Sequence, residues 1–313
     1  MRGVVVGRIL RFISVTCLLL ALAGCTNPTE SSVETWAFGP PMPMAHFAPA
    51  VGAIDGVLYV AGDFATGKED SVHAFVVATG EWKAVKSMRT GRHYAAHAVY
   101  AGHLYVFGGL GDSTLSTVEY YDPSTDSWYA RQPMPSPRRE ALAVVVGDKI
   151  YVIGGGSSNT PESKVEIYEP LADAWSAGPS LSKARFAPAG GVLGGKIVVA
   201  GGEYSHLDGA LNDVEIYDPS RGEWVEGPPL FYAVRGAATA VIENRLYVIG
   251  GSDDIGVATA HLQILARGEH RWSIGTPMPK RRSEASAGTI EGRIYLTGGY
   301  MTKQGDVLLI YTP

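Results

Sequence analysis

Basic side chains recur at a fixed distance from the tryptophans of this chain. Ten positions after five of its six tryptophans stands a histidine or an arginine: His46, Arg92, Arg138, Arg185 and Arg282. After the fifth tryptophan this position holds Val234, and Arg235 follows it. Aromatic residues crowd the same segments. Because a guanidinium group binds a carboxylate through two parallel hydrogen bonds, the pattern predicts a cationic, aromatic-lined site for an anionic sugar or an acidic peptide.

The residues two positions further along differ between the copies. Three of them carry reactive groups: Tyr94, Glu140 and Glu284. Residues two apart on a strand lie on the same face, so each of these acids would lie beside an arginine. Such a pair can transfer protons or can be a simple local ion pair, and the sequence leaves both open. We take the basic residues and these three side chains as ligand-binding candidates and assign no catalytic residue.

The elements that position these residues repeat along the chain. The tryptophans are spaced 46, 46, 47, 49 and 48 residues apart, and a glycine follows each of them after 26 residues. In five copies this glycine begins a Gly-Gly pair, and in the first copy the pair is replaced by Gly62-Asp63. A large residue that recurs at one period indicates one structural unit copied in series. The spacing varies after the glycines, so we place the variable loops there.

Each unit reads as four short strands. The second strand is an apolar run such as Ile150-Tyr151-Val152-Ile153, which suits a strand buried on both faces, and a two-residue turn precedes it. The third strand ends in proline and the fourth contains the tryptophan. The last unit lacks a fourth strand, whereas the first unit begins with a spare one around Trp36. We therefore predict an all-β, six-bladed β-propeller over residues 36–313, closed by the Trp36 strand in the last blade.

The repeat resembles the kelch motif. The resemblance rests on the apolar run that ends in Gly-Gly, a tyrosine after it, and a tryptophan seven residues later, as in Tyr121 and Trp128. It implies four-stranded blades and a propeller that usually binds another molecule, although some relatives are oxidases or sugar mutarotases. It also implies that the repeated arginines pair within or between blades. Units one and five depart most from the motif, at Asp63, Phe75, Val76, Leu265 and Ala266.

The N-terminal segment predicts export and lipid attachment. A start with three arginines precedes an apolar stretch over residues 12–23, which is too short to span a bilayer as a stable helix. The stretch ends in Leu22-Ala23-Gly24-Cys25, which resembles a bacterial lipobox, and the alternative is an ordinary secretory signal. We expect a lipoprotein signal peptide over 1–24, then a lipidated Cys25 and a tether over 25–35. The bacterial cell envelope is the expected location. The residue after the cysteine is not aspartate, which favours the outer membrane.

Charge and cysteine content argue against several function classes. The net charge of −5 and the lack of a basic tract disfavour nucleic-acid binding. The two cysteines, Cys17 and Cys25, both lie in the N-terminal segment, so the copper chemistry of some kelch oxidases, which uses a cysteine, is not expected. The chain has no Gly-rich phosphate loop, no His-Glu-x-x-His motif and no paired-cysteine spacing. We expect no cofactor and no metal.

Two functions that involve a ligand remain, and a third possibility is a structural scaffold that binds no small ligand. The first is a lipid-anchored, monomeric binding module, rather than an enzyme, that holds a protein or a glycan. It would use one end of the ring, here called the mouth, where the loops after each Gly-Gly and the loops that enter each innermost strand lie. The alternative is a cofactor-free sugar-acid mutarotase or epimerase of the cell envelope. In that enzyme Glu140 or Glu284 would transfer a proton while neighbouring arginines hold the carboxylate. In both cases the lipid anchor would be the only contact with a membrane.

Overall fold

The computed structural model describes Met1 and residues 34–64, 67–205, 209–300 and 307–313. The chain divides into two units, Met1–Ser32 and Val33–Pro313. The predicted signal peptide, the lipidation site Cys25 and nearly all of the tether lie outside the described residues. Within the described ranges, no helix is long and apolar enough to cross a membrane.

The second unit consists of six antiparallel sheets of four strands each, which are the blades of a propeller. Blade one comprises β2 (Ala50–Ile54), β3 (Val57–Ala61), β4 (Val72–Val76) and β5 (Glu81–Ala84), and blade two comprises β6 (Ala96–Tyr100), β7 (His103–Phe107), β8 (Val118–Asp122) and β9 (Ser127–Arg131). Blade three comprises β10 (Leu142–Val146), β11 (Lys149–Ile153), β14 (Val165–Glu169) and β15 (Ala174–Gly178). A short separate ribbon of β12 (Gly156–Ser157) and β13 (Thr160–Pro161) lies between β11 and β14 in the chain. Blades four to six comprise β16 (Ala189–Leu193), β17 (Lys196–Ala200), β18 (Val214–Asp218) and β19 (Glu223–Glu226); β20 (Ala238–Ile242), β21 (Arg245–Ile249), β22 (Leu262–Ala266) and β23 (Ser273–Ile274); and β24 (Ser283–Ile290), β25 (Arg293–Tyr300), β26 (Leu309–Thr312) and β1 (Thr35–Phe38).

The hydrophobic core lies between neighbouring blades. One cluster joins Tyr59 and Ala74 of blade one to Leu104 and Trp128 of blade two, and all four side chains are buried. The second strand of each blade is buried on both faces, as the continuous apolar runs predicted. A single blade would expose two apolar faces, so the stacking of the copies around the ring provides the burial that stabilises each one.

The last blade closes the ring as predicted. Its outermost strand, β1, pairs antiparallel with β26, and Trp36 lies opposite Tyr311 in the register. The fold class and this closure are confirmed.

Each tryptophan also links its blade to the blade before it. Its indole N–H donates a hydrogen bond of 2.8–3.0 Å to the backbone carbonyl of the residue four positions after the preceding tryptophan. In chain order of the donors the pairs are Trp36 with Thr276, Trp82 with Pro40, Trp128 with Lys86, Trp175 with Gln132, Trp224 with Pro179, and Trp272 with Pro228. The first of these pairs crosses the seam between the two ends of the chain. The tryptophan period is therefore the period of an interblade hydrogen bond.

A second closed ring of hydrogen bonds surrounds the propeller axis. It is formed by one residue from each blade, and we call this set the axial ring: Ala48, Tyr94, Glu140, Ala187, Gly236 and Glu284. The N–H of each member donates to the carbonyl of the member before it over 2.8–3.1 Å, and Ala48 donates to Glu284. All six have left-handed backbone angles, with φ between 45° and 57°. This conformation directs the chain into the innermost strand of each blade. The backbone N–H and C=O groups of each member are both hydrogen-bonded, each across a blade boundary.

Candidate functional site

The repeated basic residues lie inside the blades rather than on the wall of the mouth. Their relative exposure is 3% or less in every case. Each bonds the carbonyl of the first glycine of its own Gly-Gly segment over 2.8–3.1 Å, and the pairs are His46 with Gly62, Arg92 with Gly108, Arg138 with Gly154, Arg185 with Gly201, and Arg282 with Gly298. The four arginines also donate to the backbone at the start of the third strand. The geometry therefore favours the pairing within blades that the kelch resemblance implied.

In blades two to four each buried arginine has a buried glutamate as its partner. Arg185 Nη2 lies 2.7 Å from Glu215 Oε1, and Arg138 Nη2 lies 3.0 Å from Glu166 Oε1. Arg92 pairs with Glu119 in the same way. Burial lowers the pKa of Arg185, and the charge of Glu215 opposes that effect. These ion pairs join the loop that enters each blade to the third strand of that blade. The guanidinium groups that the sequence predicted to bind a ligand are therefore already paired with glutamates.

Blade one replaces the arginine–glutamate pair with two histidines. His46 Nδ1 lies 2.8 Å from the carbonyl of Gly62, so this nitrogen must carry the proton and donate. His46 Nε2 lies 3.0 Å from His73 Nδ1 and therefore accepts from it when both rings are neutral. Burial lowers the pKa of both histidines. The neutral pair thus occupies the place of an ion pair in the other blades.

Blade five has no basic residue at the repeated basic position. That position is taken by the buried Val234, and the acid position holds Gln263, whose amide bonds both backbone groups of Tyr232 over 3.0 and 3.1 Å. Arg235 lies one residue later, beside the axial ring, where its Nη1 is 3.1 Å from Oε1 of the buried Glu203. It therefore contributes to the mouth, whereas the four other arginines of the set do not.

The unit-specific candidates Tyr94, Glu140 and Glu284 all belong to the axial ring. They line a cavity of about 100 Å³ on the axis. Glu140 and Glu284 are three members apart in either direction around the ring, so they lie on opposite walls of this cavity. The predicted neighbours of Glu140 and Glu284, Arg138 and Arg282, do not line the cavity, because their side chains point into the blades. Sequence reasoning thus found these three residues but not the charges that surround them.

Glu284 is partly buried and is a weaker acid than an ordinary glutamate. Burial raises its pKa to about 7, the negative charge of Glu203 adds to this, and the charges of Arg235 and Arg139 oppose it. Its carboxylate lies against the backbone of Gly236, where no side chain intervenes. A carboxyl group with a pKa near neutrality can be either a proton donor or a proton acceptor at physiological pH.

Arg139 lies across the ring from Glu284 and organises the other wall. It forms an ion pair with Glu140, and its Nη2 donates to the carbonyl of Ser158 over 3.1 Å. Its guanidinium carbon lies 5.3 Å from the ring centre of Phe186 and 5.9 Å from that of Tyr94. Burial and the charge of Glu284 raise the pKa of Tyr94, so its hydroxyl stays protonated as a donor.

An aromatic cluster forms the remaining side of the mouth. Phe47 is its centre, and its ring lies 5.3–6.4 Å from those of the four other members, Phe64, His93, Tyr94 and Tyr300. Phe64 and Tyr300 are 63% and 59% exposed. The departure at Asp63 helps to hold this cluster, because its Oδ1 accepts hydrogen bonds from the backbone N–H groups of Phe47 and Phe64 at 3.0 and 2.7 Å. The mouth therefore has an aromatic side next to a side with alternating charges.

Part of what sequence reasoning missed was visible in the chain. The second residue of the third strand is glutamate in the three blades that use an arginine–glutamate pair, histidine in blade one and glutamine in blade five. In these five blades it changes together with the basic residue, which is the signal that the two side chains touch, whereas blade six keeps Arg282 and has Leu309 at the equivalent position. Arg139 and Glu203 carried no such signal, because the Arg139 position holds phenylalanine, histidine, arginine or serine in the other units and the Glu203 position holds a different residue in every unit. In the part of the chain that the structure describes, no group of three or more His, Cys, Asp or Glu side chains is arranged to hold a metal ion.

Comparisons with known proteins agree with this architecture. The family model described as the KLHDC2/KLHL20/DRC7 Kelch-repeats domain matches residues 45–232, and the Kelch motif model matches residues 233–279. The chain belongs to the kelch repeat family. Among solved structures, this kelch propeller is similar to that of YjhT, with 16% identity and a TM-score of 0.76 over 87% of this chain and 95% of the other, a likeness that shows the fold. The comparison with curated proteins gives no significant match.

Proposed function

We propose that the mouth of this propeller binds a glycan and that the protein acts as a binding module. The observation that carries the proposal is the axial cavity, whose wall combines the Tyr94 hydroxyl, two carboxylates and Arg139 with an adjoining, partly exposed aromatic cluster. Sugar rings present flat C–H faces together with hydroxyl groups, and such a wall offers both stacking surfaces and paired polar groups. Recognition sites of this kind are typically concave, with few but well-placed polar groups.

The balance of charge at the mouth supports a hydroxyl-rich ligand over a strongly anionic one. The four blade arginines are used inside the blades, which removes most of the cationic character that the sequence suggested. The two arginines at the mouth, Arg139 and Arg235, each face a carboxylate, of Glu140 and Glu203. Glu284 adds a third acid whose charge is partial near neutrality. An acidic peptide would therefore meet about as many carboxylates as guanidinium groups, whereas hydroxyl groups can pair with both.

The test is calorimetric titration of residues 26–313 with glucose, galactose, N-acetylglucosamine and glucuronate, and with an acidic decapeptide. We expect saturable binding of at least one sugar and at least a tenfold loss of affinity in Tyr94→Phe and Glu140→Gln, because the first removes a hydroxyl partner and the second replaces a charged acceptor with a neutral amide. The matched control is Tyr129→Phe, on the outermost strand of blade two. Binding of the peptide alone would overturn the glycan proposal in favour of a protein partner.

A second candidate function, a sugar-acid mutarotase, is favoured by one observation, the pKa of about 7 for Glu284. In ring opening, the proton of the anomeric hydroxyl would pass to the Glu284 carboxylate as the bond between the anomeric carbon and the ring oxygen breaks. The ring oxygen would take a proton from solvent, and Arg235 or Arg139 would hold the sugar carboxylate. Exchange between the anomers of glucuronate, measured by NMR with wild type and Glu284→Gln, tests this reading. Equal exchange rates with both proteins, no faster than in buffer, would exclude it for this sugar acid.

We further propose that the protein is a monomer and that lipid on Cys25 holds it on the bacterial cell envelope, and the anchor rests on the lipobox-like sequence alone. Expression in a bacterial host with an alkyne fatty acid should label wild type but not Cys25→Ser, and wild type should fractionate with the outer membrane. Labelling of both proteins, or of neither, would contradict the anchor.

A further inference from the structure

A groove leads away from the mouth between blades one and two. It has a volume of about 850 Å³, and its lining includes Phe64, Glu69, Arg89, His93, Asp112 and Ser113. Two of these residues, Phe64 and His93, also belong to the aromatic cluster, which reaches the axial ring through Tyr94. The groove and the axial cavity are therefore two parts of one continuous surface, with the cluster between them.

His93 is the unusual group in this groove. Its side chain is buried, with 6% relative exposure, yet neither Nδ1 nor Nε2 has a hydrogen-bond partner among the described residues. Burial and the charge of Arg139 lower its pKa, while Asp63 and Glu69 oppose this. The imidazole is therefore neutral at pH 7 and has one N–H donor and one acceptor nitrogen, both unused. Leaving buried polar atoms unpaired costs on the order of 1–3 kcal/mol each, so these atoms call for partners.

The chemistry of a neutral imidazole restricts what those partners are. A phosphate or carboxylate only accepts and would satisfy the N–H alone, and an ammonium group only donates and would satisfy the other nitrogen alone. A hydroxyl group can donate or accept, so two hydroxyls of a sugar can satisfy both nitrogens of the ring. The exposed face of Phe64, whose ring centre lies 5.0 Å from that of His93, supplies a stacking surface beside it. Glu69, Arg89 and Ser113 supply further groups that pair with hydroxyls.

We propose that this groove is a second sugar-binding subsite, with His93 and Phe64 as its recognition residues, and that the ligand is a glycan chain rather than a single sugar. One unit lies at the axial cavity, and the following units cross the aromatic cluster into the groove. This inference rests on the proposed function of the mouth and adds to it the length and the direction of the ligand.

The test compares chain lengths by calorimetry with residues 26–313. The probes are glucose, N-acetylglucosamine, cellotetraose, maltotetraose and chitotetraose. One of these sugar series should bind. In that series we expect the tetrasaccharide to bind at least tenfold more tightly than the corresponding monosaccharide. Phe64→Ala and His93→Leu should remove the gain with chain length, so that each variant binds the tetrasaccharide no more tightly than it binds the monosaccharide. His93→Gln keeps a donor and an acceptor and should retain part of the gain. Tyr129→Ala, another partly exposed aromatic of blade two, is the control and should change neither affinity.

The outcomes separate the two proposals. If the monosaccharide binds, Tyr94→Phe weakens it, and the tetrasaccharide gains nothing or ignores both groove variants, the groove is not a subsite and the mouth proposal stands. That result would mean that His93 is satisfied by water. If no saccharide of either length binds, the proposed function itself fails and the groove proposal fails with it. A gain with chain length that Phe64→Ala and His93→Leu both remove supports the inference.

Discussion

The carboxylate of Glu284 lies in the space that a side chain at Gly236 would fill. A Cβ atom on Gly236 would overlap Oε1 of Glu284, and Oε2 would lie 2.9 Å from it. The two residues are neighbours in the axial ring, and Glu284 N–H donates to the Gly236 carbonyl over 2.9 Å. The glycine is therefore the residue that allows an acid at position 284 to turn toward the axis.

The first prediction concerns this glycine. The variant Gly236→Ala should fold, because Ala48 and Ala187 occupy equivalent ring positions with φ of 46° and 45°. We expect the left-handed backbone angle to destabilise the variant by about 1–2 kcal/mol. We also expect the added methyl group to displace the carboxylate of Glu284 and so to change its pKa. Its pKa should fall from about 7 toward that of an ordinary glutamate. NMR titration of the side-chain carboxyl carbon measures this, with Ala187→Gly as the control. An unchanged titration would show that the carboxylate does not depend on the space at Gly236.

The second prediction concerns stability and pH. Because the pKa of Glu284 is raised to about 7 in the folded protein from its ordinary value of 4.5, the folded state binds more protons than the unfolded state between these values. Its contribution to stability is therefore greatest at low pH and is lost as the pH rises through 7. The side chain of Glu284→Gln does not titrate, so the variant does not lose this stability as the pH rises. The free energy of unfolding of the variant minus that of wild type should therefore increase from pH 4.5 to pH 8, by up to about 3 kcal/mol. Urea denaturation at five pH values measures the difference, and a constant difference would contradict the assigned acidity.

The third prediction uses blade five as a template for blade four. Arg185→Val leaves the buried Glu215 without its guanidinium partner and should cost about 3–5 kcal/mol. The double variant Arg185→Val, Glu215→Gln reproduces the Val234 and Gln263 pair of blade five and should recover more than half of that loss. Chemical denaturation of the three proteins measures it. A double variant as unstable as the single one would mean that the two positions do not act as a pair.

The fourth prediction concerns the two histidines of blade one. Because burial lowers the pKa of His46 and His73 below the ordinary value of 6.5, the unfolded state binds more protons than the folded state just below pH 6.5. Their contribution to stability is present above pH 6.5 and is lost as the pH falls. The double variant His46→Arg, His73→Glu restores the pair of blades two to four, and it should lose less stability than wild type between pH 7.5 and 5. The other histidines whose pKa burial lowers, His93 and His97, are common to both proteins and cancel in the comparison. Parallel curves for the two proteins would contradict this account.

The sequence predicted the architecture because the repeat encodes contacts that recur in every blade. The tryptophan period follows from the interblade bond of its indole, and the spare strand at Trp36 predicted how the ring closes. Tyr94, Glu140 and Glu284 were found for a related reason, since residues that vary on a repeated scaffold are freed from its common packing. The reactive side chains at the mouth were therefore visible as exceptions to the repeat.

What the sequence did not show was the direction of the side chains. The repeated arginines and their neighbours stand next to each other in the chain, yet Arg138 is buried in its blade and Arg139 contacts the mouth. The left-handed turn at Glu140 sets this orientation, and a backbone angle carried by Ala, Tyr, Glu and Gly alike leaves no mark on composition. Arg235, a ligand-binding candidate like the blade arginines, stands one residue after their position, and a shift of one residue reverses the side on which a side chain lies.

The closure of blade six places the first strand of the propeller beside its last. β1 is synthesised before every other strand, and its partner β26 is synthesised after all of them. A growing chain can form the hairpins of blades one to five, but the outer edge of the last blade stays open until synthesis is complete. Contacts of such high sequence separation form late and make folding slow. We therefore expect an incomplete chain to remain a substrate for chaperones, and the finished ring to resist fraying, since neither end offers a blade that can detach alone.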